Sequence, residues 1–428
     1  MTTTDDFLKH ISSWDDFWKK AKGLSNHEKG HLFERLTELV LMTKPEYVSL
    51  VKKVWRQGKN VPASVREHLR LPSSDEGIDL IAETYRGEFW AIQCKFKGDQ
   101  APPTYKELST FGNLAHNYCR NISRSFLFHT GERGVLKKKL LGETFTQLGL
   151  EFWLGLTDED WQRIRQTLEG KSIRPQLRSP RPHQQEAIRA ASEHFVKQKA
   201  ERGKLIMPCG TGKSLTAFWI ADALKAKHIV VAVPSLSLIK QTLEDWTREL
   251  LANNERNKPD WLCICSDDST GKLEKDEFVS DIYSLGIPTT TDPAAIKSFL
   301  SQKSKGKKIV FTTYQSSDRL AKAAKSLKFG FDLAILDEAH KTVGEKSKAF
   351  ATLLFDKNIT VKQRIFMTAT ERLVRGKNDE VLSMDDKSIY GDRFYLLTFK
   401  EAIHSDPPII SDYKILTVIV TNDEIHEL

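Results

Sequence analysis

The spacing of apolar residues predicts helices alternating with short strands in the first part of the chain. Three stretches carry apolar side chains three and four positions apart, which is typical of amphipathic helices: 14–18, 32–40 and 104–117. Three short apolar runs predict strands: 78–82, 89–94 and 125–128. The first two runs are separated by the polar turn Arg86-Gly87-Glu88, which predicts a hairpin.

The second part of the chain shows a different pattern. Its predicted strands are continuous apolar runs of four to six residues, separated by helical segments: 204–207, 228–233, 308–311, 333–336 and 364–367. Strands buried on both faces have this composition, so we expect a parallel sheet flanked by helices. Between the two parts, residues 171–181 are basic, contain proline and lack periodicity, which predicts a linker at a domain boundary.

Composition narrows the class of protein. A chain of 428 residues is too long for a single hydrophobic core, so we expect two or three domains. Its 22 Phe and 9 Trp residues can bury enough apolar surface to exclude a largely disordered chain. No apolar run is long enough to span a membrane, and the N-terminus lacks a secretory signal. Five cysteines without a CxxC pair predict reduced thiols and a cytoplasmic location. The net charge of +8 fits polyanion binding and a solvated basic surface equally well.

A glycine-rich loop directly follows the strand 204–207 and precedes a helical segment. In this context, backbone N–H groups wrap a phosphate chain, the lysine reaches the β- and γ-phosphates, and the serine hydroxyl holds Mg²⁺. The loop departs from the usual pattern because Met207 replaces its leading glycine. The predicted ligands of ATP and Mg²⁺ are Gly210, Thr211, Gly212, Lys213 and Ser214.

A second motif, Asp337-Glu338-Ala339-His340, ends an apolar strand about 125 residues after the loop. Asp337 at this position coordinates Mg²⁺ through water, and Glu338 polarises the attacking water. The alternative is that these four residues form an acidic turn on the protein surface. The motif's distance from the loop and its position after a strand favour the nucleotide site.

The predicted hairpin carries a second set of chemical groups. Asp79 lies on its first strand, and Gln93 and Lys95 lie two apart on one face of the next, so the three converge. Asp79 and Gln93 supply oxygen ligands for Mg²⁺, and Lys95 positions the attacking water and stabilises charge on the phosphate. Glu34, on an amphipathic helix, faces the same metal. Because Gln93 is neutral, Mg²⁺ binding should be weak. An inactive nuclease fold or a plain hairpin is the alternative.

These motifs resemble two known families. Residues 181–400 are similar to the first RecA-like lobe of superfamily 2 helicases, which makes Gln184, in Arg181-Pro-His-Gln184, the adenine contact. The segments that resemble its nucleic-acid and coupling motifs are 234–241, 312–316 and 368–370. Residues 25–135 resemble the Mrr-like branch of the PD-(D/E)xK nucleases, in which Gln replaces the second acid.

A nuclease ahead of a DNA motor resembles the type ISP restriction-modification enzymes. The resemblance implies an α/β fold in three parts: a restriction-endonuclease-like mixed-sheet domain over 1–170, a RecA-like parallel lobe over 171–400, and a connector and the start of a second lobe over 401–428. The arginine fingers of that second lobe are missing from the sequence. We therefore expect ATP binding with poor hydrolysis.

The resemblance implies ATP-driven translocation coupled to Mg²⁺-dependent cleavage of foreign double-stranded DNA, with further domains of a longer polypeptide as partners. Three alternatives stay open. The first is a repair or recombination helicase with a nuclease-like domain. The second is a restriction enzyme that depends on DNA modification. The third is a DNA-binding ATPase switch that uses the nuclease fold as a clamp.

Overall fold

A computed structural model describes residues 4–58, 60–72, 77–132, 145–171, 175–253, 259–266, 285–304, 306–345, 349–374 and 381–412. Residues 74–76, which precede the predicted hairpin, and residues 413–428 of the predicted connector and second lobe lie outside these residues. Within the described residues, no helix is long and apolar enough to cross a membrane.

The first unit alternates helices with five strands. Its elements are α1 (Thr4–Lys9), α2 (Trp14–Ala21), α3 (Asn26–Thr43), α4 (Pro45–Val48), β1 (Val51–Arg56), α5 (Ala63–Leu69), β2 (Leu80–Thr84), β3 (Phe89–Lys95), α6 (Tyr105–Asn113), β4 (Ile122–His129), β5 (Phe145–Leu148), α7 (Leu150–Leu154) and α8 (Asp158–Leu168). A π-helical turn, Leu114–Tyr118, extends α6.

The five strands form a mixed sheet in the order β1-β2-β3-β4-β5. The strands β1, β2 and β3 are antiparallel neighbours, and the predicted hairpin is confirmed as β2 and β3. The strands β3, β4 and β5 run parallel, with α6 in the crossover from β3 to β4. The prediction of a mixed sheet is therefore confirmed, while β1 and β5 were not predicted.

The second unit contains the longer sheet. Its elements are α9 (Pro182–Ser192), β6 (Arg202–Ile206), α10 (Lys213–Ala223), β7 (His228–Val233), α11 (Leu236–Ala252), β8 (Asp260–Ile264), β9 (Thr289–Thr290), α12 (Pro293–Ser301), β10 (Lys308–Thr313), α13 (Ser317–Ser326), β11 (Phe331–Leu336), β12 (Gly344–Glu345), β13 (Val361–Thr368), β14 (Val381–Leu382), α14 (Lys387–Tyr390), β15 (Asp392–Leu396) and α15 (Phe399–His404). Shorter helical turns are Glu193–Lys197, Ala339–Thr342 and Ala349–Leu354.

Eight strands of this unit form a parallel sheet in the order β15-β6-β13-β11-β7-β10-β8-β9. The five strands predicted from continuous apolar runs are β6, β7, β10, β11 and β13, which occupy its centre. Helices separate most of these strands along the chain, so the predicted parallel α/β architecture is confirmed. The strands β8, β9 and β15 lie toward the edges and were not predicted.

Aromatic side chains fill the core of the first unit. Trp153 is fully buried and stacks on Trp14 with ring centroids 5.4 Å apart, and Trp14 in turn stacks on Trp18. These tryptophans therefore pack against one another in the core of the first unit. All five cysteines are free thiols, as predicted.

The two units share a polar interface although a linker joins them. Arg86, in the β2–β3 turn, donates to the Asp260 carboxylate over 2.9 Å. The Trp261 indole N–H donates to the Ser49 hydroxyl over 2.8 Å. Lys44, at the end of α3, lies 3.7 Å from the Glu244 carboxylate on α11. Three contacts at different points along the chain fix the orientation of the first unit on the second.

Candidate nucleotide and nuclease sites

The glycine-rich loop connects β6 to α10. Gly212 adopts the left-handed conformation (φ +82°) at the helix start, and an added Cβ there would meet the Gln184 amide nitrogen at 2.5 Å. The left-handed backbone favours glycine here, and a larger residue would also displace the Gln184 amide. The loop therefore presents backbone N–H groups at the N-terminus of an eleven-residue helix, the arrangement that attracts phosphate.

Helix α9 packs against the glycine-rich loop and forms hydrogen bonds to its backbone. The Gln184 amide donates to the Gly212 carbonyl over 3.3 Å, and its oxygen accepts from the Arg181 backbone N–H over 2.9 Å. The His183 ring nitrogen lies 3.0 Å from the Thr211 carbonyl. Gln184 is 4% exposed, so in this structure its side chain holds the phosphate loop. The predicted adenine contact stays a prediction.

Ser214 is the second residue of α10, next to the predicted phosphate-binding Lys213. Its hydroxyl oxygen is buried and has no hydrogen-bond partner among the described residues. A buried hydroxyl without a partner is destabilising unless a ligand satisfies it. An Mg²⁺ ion bound with nucleotide takes such an oxygen as a ligand, so the residue fits the predicted role.

The acidic motif follows β11 at the centre of the sheet. The Lys213 ammonium lies 3.5 Å from the Glu338 carboxylate, which brings the loop and the motif together. Asp337 is 7% exposed, and burial together with the charge of Glu338 raises the pKa of its carboxyl to about 6. Because burial destabilises the ionised form of this carboxyl group, a nearby cation would stabilise it, so Asp337 also fits a magnesium site.

Two further residues connect this site to the predicted nucleic-acid and coupling motifs. The His340 ring lies 2.9 Å from the Thr368 hydroxyl at the end of β13. The Tyr314 hydroxyl donates to the Asp337 carbonyl over 2.7 Å, from the segment after β10. Both segments were predicted from the sequence as motifs, but these contacts were not, because they depend on which strands are neighbours in the sheet.

The nuclease candidates meet at one end of the β2–β3 hairpin. Asp79 lies one residue before β2 rather than on it, a correction to the prediction, yet its N–H continues the ladder to the Ile92 carbonyl over 2.9 Å. Its carboxylate accepts from the Cys94 backbone N–H over 2.5 Å. The paired register ends where Leu80 opposes Ile92, so Asp79 lies at the end of the hairpin where β3 carries Gln93 and Lys95. Gln93 and Lys95 are two apart and share one face of β3.

Gln93 is 2% exposed and its side-chain oxygen has no hydrogen-bond partner among the described residues. Its amide nitrogen would lie 3.5 Å from a Cβ added at Gly77, whose φ is +112°. This amide oxygen and the Asp79 carboxylate are both hard oxygen donors, the ligand type that Mg²⁺ prefers. Gln93 and Asp79 therefore fit a magnesium ion.

Glu34 approaches the hairpin end from α3. Its side chain is 19% exposed, and its carboxylate lies 3.3 Å from the His31 ring nitrogen. Burial, followed by the charges of Asp79 and Glu34, raises the pKa of the Cys94 thiol well above its usual value. Both acids are thus close enough to act on one thiol, and Glu34 lies on the α3 side of the sheet.

Lys95 ends β3 and opposes His129 on β4. His129 is fully buried, and burial followed by the charge of Lys97 lowers its pKa to about 4, so its ring is neutral near pH 7. The Gln147 amide lies 2.7 Å from that ring. Sequence reasoning missed this polar pair because β5, which carries Gln147, was not predicted.

Among the described residues, no group of three or more His, Cys, Asp or Glu side chains is arranged to hold a metal ion. The candidate nuclease site instead combines a carboxylate, an amide and a lysine, and the nucleotide site combines a hydroxyl with a carboxylate. Mg²⁺ commonly takes only one or two protein ligands and completes its shell with water and phosphate. Each candidate site offers Mg²⁺ two protein ligands, which agrees with this number.

Two known families match the chain. The family "Type III restriction enzyme, res subunit" matches residues 178–373, and the family "Restriction endonuclease" (Mrr_cat_2) matches residues 42–141. "Probable helicase A859L" of African swine fever virus (isolate Pig/Kenya/KEN-50/1950) is 28% identical over 239 residues, covering 56% of this chain and 24% of the viral protein.

Solved structures give the same result. The "ATP-dependent Type ISP restriction-modification enzyme LlaBIII bound to DNA" superposes with a TM-score of 0.70 and 26% identity, covering 92% of this chain and 25% of that one. A nuclease-deletion mutant of the type ISP enzyme LlaGI is 30% identical, with a TM-score of 0.41, and covers 54% of this chain and 21% of its own. The chain thus spans about a quarter of the length of these proteins.

The chain therefore joins a restriction-nuclease domain to a helicase-type ATPase domain, in that order. In the fold and sequence of these domains it matches the type ISP restriction-modification enzymes. The predicted pairing of an Mrr-like nuclease domain with a helicase-type domain is confirmed.

Proposed function

We propose that the protein is an ATP-dependent restriction endonuclease in which a DNA translocase lobe controls a Mg²⁺-dependent nuclease. The observation that carries the proposal is the coexistence of two separate sites, one at the end of the β2–β3 hairpin and one at the β6–α10 loop. Each contains a buried oxygen without a partner among the described residues, on Gln93 and on Ser214. Double-stranded DNA is the proposed substrate.

In the nuclease site, Asp79 and Gln93 would hold Mg²⁺, which would supply Lewis-acid stabilisation of charge on the scissile phosphate. Lys95, on the same face, orients the attacking water and donates to the phosphate oxygen on which negative charge grows. Glu34 accepts the proton released from that water or orders its hydrogen bonds. The backbone N–H of Cys94 fixes the Asp79 carboxylate, because it donates to one of its oxygens.

In the nucleotide site, the loop N–H groups and Lys213 would bind the phosphates, and Ser214 with Asp337 would hold the accompanying Mg²⁺. Glu338 orients the attacking water. Its partner His340 contacts Thr368, so a change at the γ-phosphate reaches β13 through one side chain. Gln184 keeps the loop in its phosphate-binding shape.

We further propose the boundaries 1–170 for the nuclease domain and 171–400 for the motor lobe, with 401–428 leading toward a second lobe. The matched family ranges, 42–141 and 178–373, fall inside these bounds. If the arginine fingers come from a second lobe, residues 1–428 bind ATP but hydrolyse it slowly.

The test is plasmid cleavage by the native enzyme that contains this chain, with Mg²⁺ and with or without ATP, on methylated and unmethylated DNA carrying one or two sites. The proposal predicts cleavage that requires ATP and prefers unmethylated DNA. Cleavage that needs neither ATP nor a methylation state contradicts it. Cleavage restricted to methylated DNA points to the modification-dependent class.

A further inference from the structure

Two histidines lie one helical turn apart on the exposed side of α3. The His27 and His31 Nε2 atoms are 3.1 Å apart, and the rings meet edge to face with centroids 4.3 Å apart. His27 is exposed, and the His31 side chain is 40% exposed. The sequence has twelve histidines, and these two are four positions apart, the spacing that places side chains on one face of a helix.

The helix holds this pair in place. Ser25 and Glu28 form a reciprocal capping box at its N-terminus, and the opposite face buries Leu32, Phe33 and Leu36 in the core. The backbone that carries both rings is therefore anchored at both its cap and its apolar side. The rings meet over solvent, where water is free to complete the shell of a bound ion.

Glu34 orients one of the rings. Its carboxylate lies 3.3 Å from His31 Nδ1, so that nitrogen donates the hydrogen and Nε2 presents a lone pair toward His27. A carboxylate behind a histidine in this way is the usual outer partner of a metal ligand, since it fixes the tautomer and raises the basicity of the ring. Two Nε2 atoms at 3.1 Å can share one ion about 2.1 Å from each.

We propose that His27 and His31 bind a divalent transition-metal ion of the Zn²⁺, Ni²⁺ or Cu²⁺ class, with Glu34 as the outer partner of His31. Imidazole nitrogen selects these ions over Mg²⁺, which prefers oxygen. Two protein ligands with water give a site of modest affinity. The site is distinct from the proposed Mg²⁺ site, whose ligands are Asp79 and Gln93.

If the proposed nuclease function holds, the position of Glu34 links the histidine pair to DNA cleavage. The same carboxylate is the helical acid of the nuclease site, and a metal on His31 strengthens its hydrogen bond to that ring. Glu34 is then engaged by His31 and is less available to the metal ion or the attacking water at the hairpin end. Occupancy of the histidine pair should therefore inhibit DNA cleavage at saturating Mg²⁺.

The experiment titrates Ni²⁺ into the untagged full chain, in millimolar Mg²⁺, by isothermal calorimetry. One ion should bind, and His27→Ala and His31→Ala should each weaken binding at least tenfold. Glu34→Gln should weaken it about tenfold through loss of the outer partner. His10→Ala and His68→Ala, which remove exposed histidines elsewhere on the first unit, should leave binding unchanged. With Cu²⁺ as the probe, electron paramagnetic resonance should show nitrogen coupling that His27→Ala reduces.

Ni²⁺ binding that survives both His27→Ala and His31→Ala overturns the proposal, as does the absence of binding to the native chain. In the cleavage assay, Ni²⁺ should inhibit the native sequence and spare His27→Ala. Equal inhibition of both overturns the link to Glu34. If no DNA is cleaved under any condition, the proposed function fails, while the Ni²⁺ titration still decides the metal site.

Discussion

Substitution of Asp337 by Asn should stabilise the protein in the absence of nucleotide. Burial and Glu338 raise the pKa of this carboxyl from 3.8 to about 6. The native state therefore binds more protons than the unfolded state between these values, and stability falls as the pH rises through that window. Above it, the ionised carboxylate costs the fold about 3 kcal/mol, at about 1.4 kcal/mol for each pKa unit.

Asn removes this cost and keeps the shape of the side chain. It also keeps the oxygen that accepts from the Glu338 backbone N–H over 2.9 Å. Asp337→Asn should raise the free energy of unfolding by about 3 kcal/mol near pH 8 and by about 1 kcal/mol near pH 4.5. Mg²⁺ with ATP should stabilise the native sequence and should stabilise the variant much less, because the ligand is gone.

Urea unfolding followed by circular dichroism at the two pH values measures both effects. The matched control is Asp332→Asn on the same strand. Hydrogen bonds from Lys362 and from the backbone of Lys227 and His228 lower the pKa of Asp332 against its burial. Its neutralisation should therefore destabilise the protein near pH 8. A stability change of the same sign in both variants, or an Asp337→Asn effect that does not grow with pH, refutes the reasoning.

Three further substitutions test the sites and the core. Ser214→Ala should lower the affinity for ATP with Mg²⁺ but not for ATP alone, and should slightly raise the melting temperature of the nucleotide-free protein, because it removes a buried hydroxyl that has no partner among the described residues; equal affinity with Mg²⁺ contradicts this. Gln93→Glu should lower the Mg²⁺ concentration that gives half-maximal cleavage, since it adds a negative charge to the ion's ligands; an unchanged or higher requirement argues against Gln93 as a ligand. Trp153→Ala should cost about 3–5 kcal/mol in urea unfolding and Trp153→Phe clearly less, because the indole is fully buried among Trp14 and Phe33; a loss below 1 kcal/mol for Ala contradicts the packing.

The sequence was most informative where local pattern and chemistry coincide. The central strands of the parallel sheet are continuous apolar runs, and the glycine-rich loop follows one of them directly, so fold and phosphate site were predicted together. Two of the missed edge strands have a physical reason in common. No position of β15 is buried, and Lys52 and Lys53 interrupt the buried positions of β1, so neither strand shows a continuous apolar run.

The contacts between motifs could not be predicted from the sequence, because they depend on strand order. His340 meets Thr368 only because β11 and β13 are neighbours in the sheet. Gln147 reaches His129 because β5 pairs with β4 in parallel. The packing of the two units against each other, through Arg86 and Asp260, likewise joins residues far apart in the chain.

We propose that the chain holds two separate sites, one that cuts DNA and one that binds ATP. The most direct measurement compares Asp79→Ala, Lys95→Ala and Lys213→Ala in Mg²⁺-dependent plasmid cleavage and in ATP binding. Asp79→Ala and Lys95→Ala should abolish cleavage and bind ATP as the native sequence does, while Lys213→Ala should lose ATP binding. Loss of ATP binding in either nuclease variant, or full cleavage by Asp79→Ala, would contradict the account.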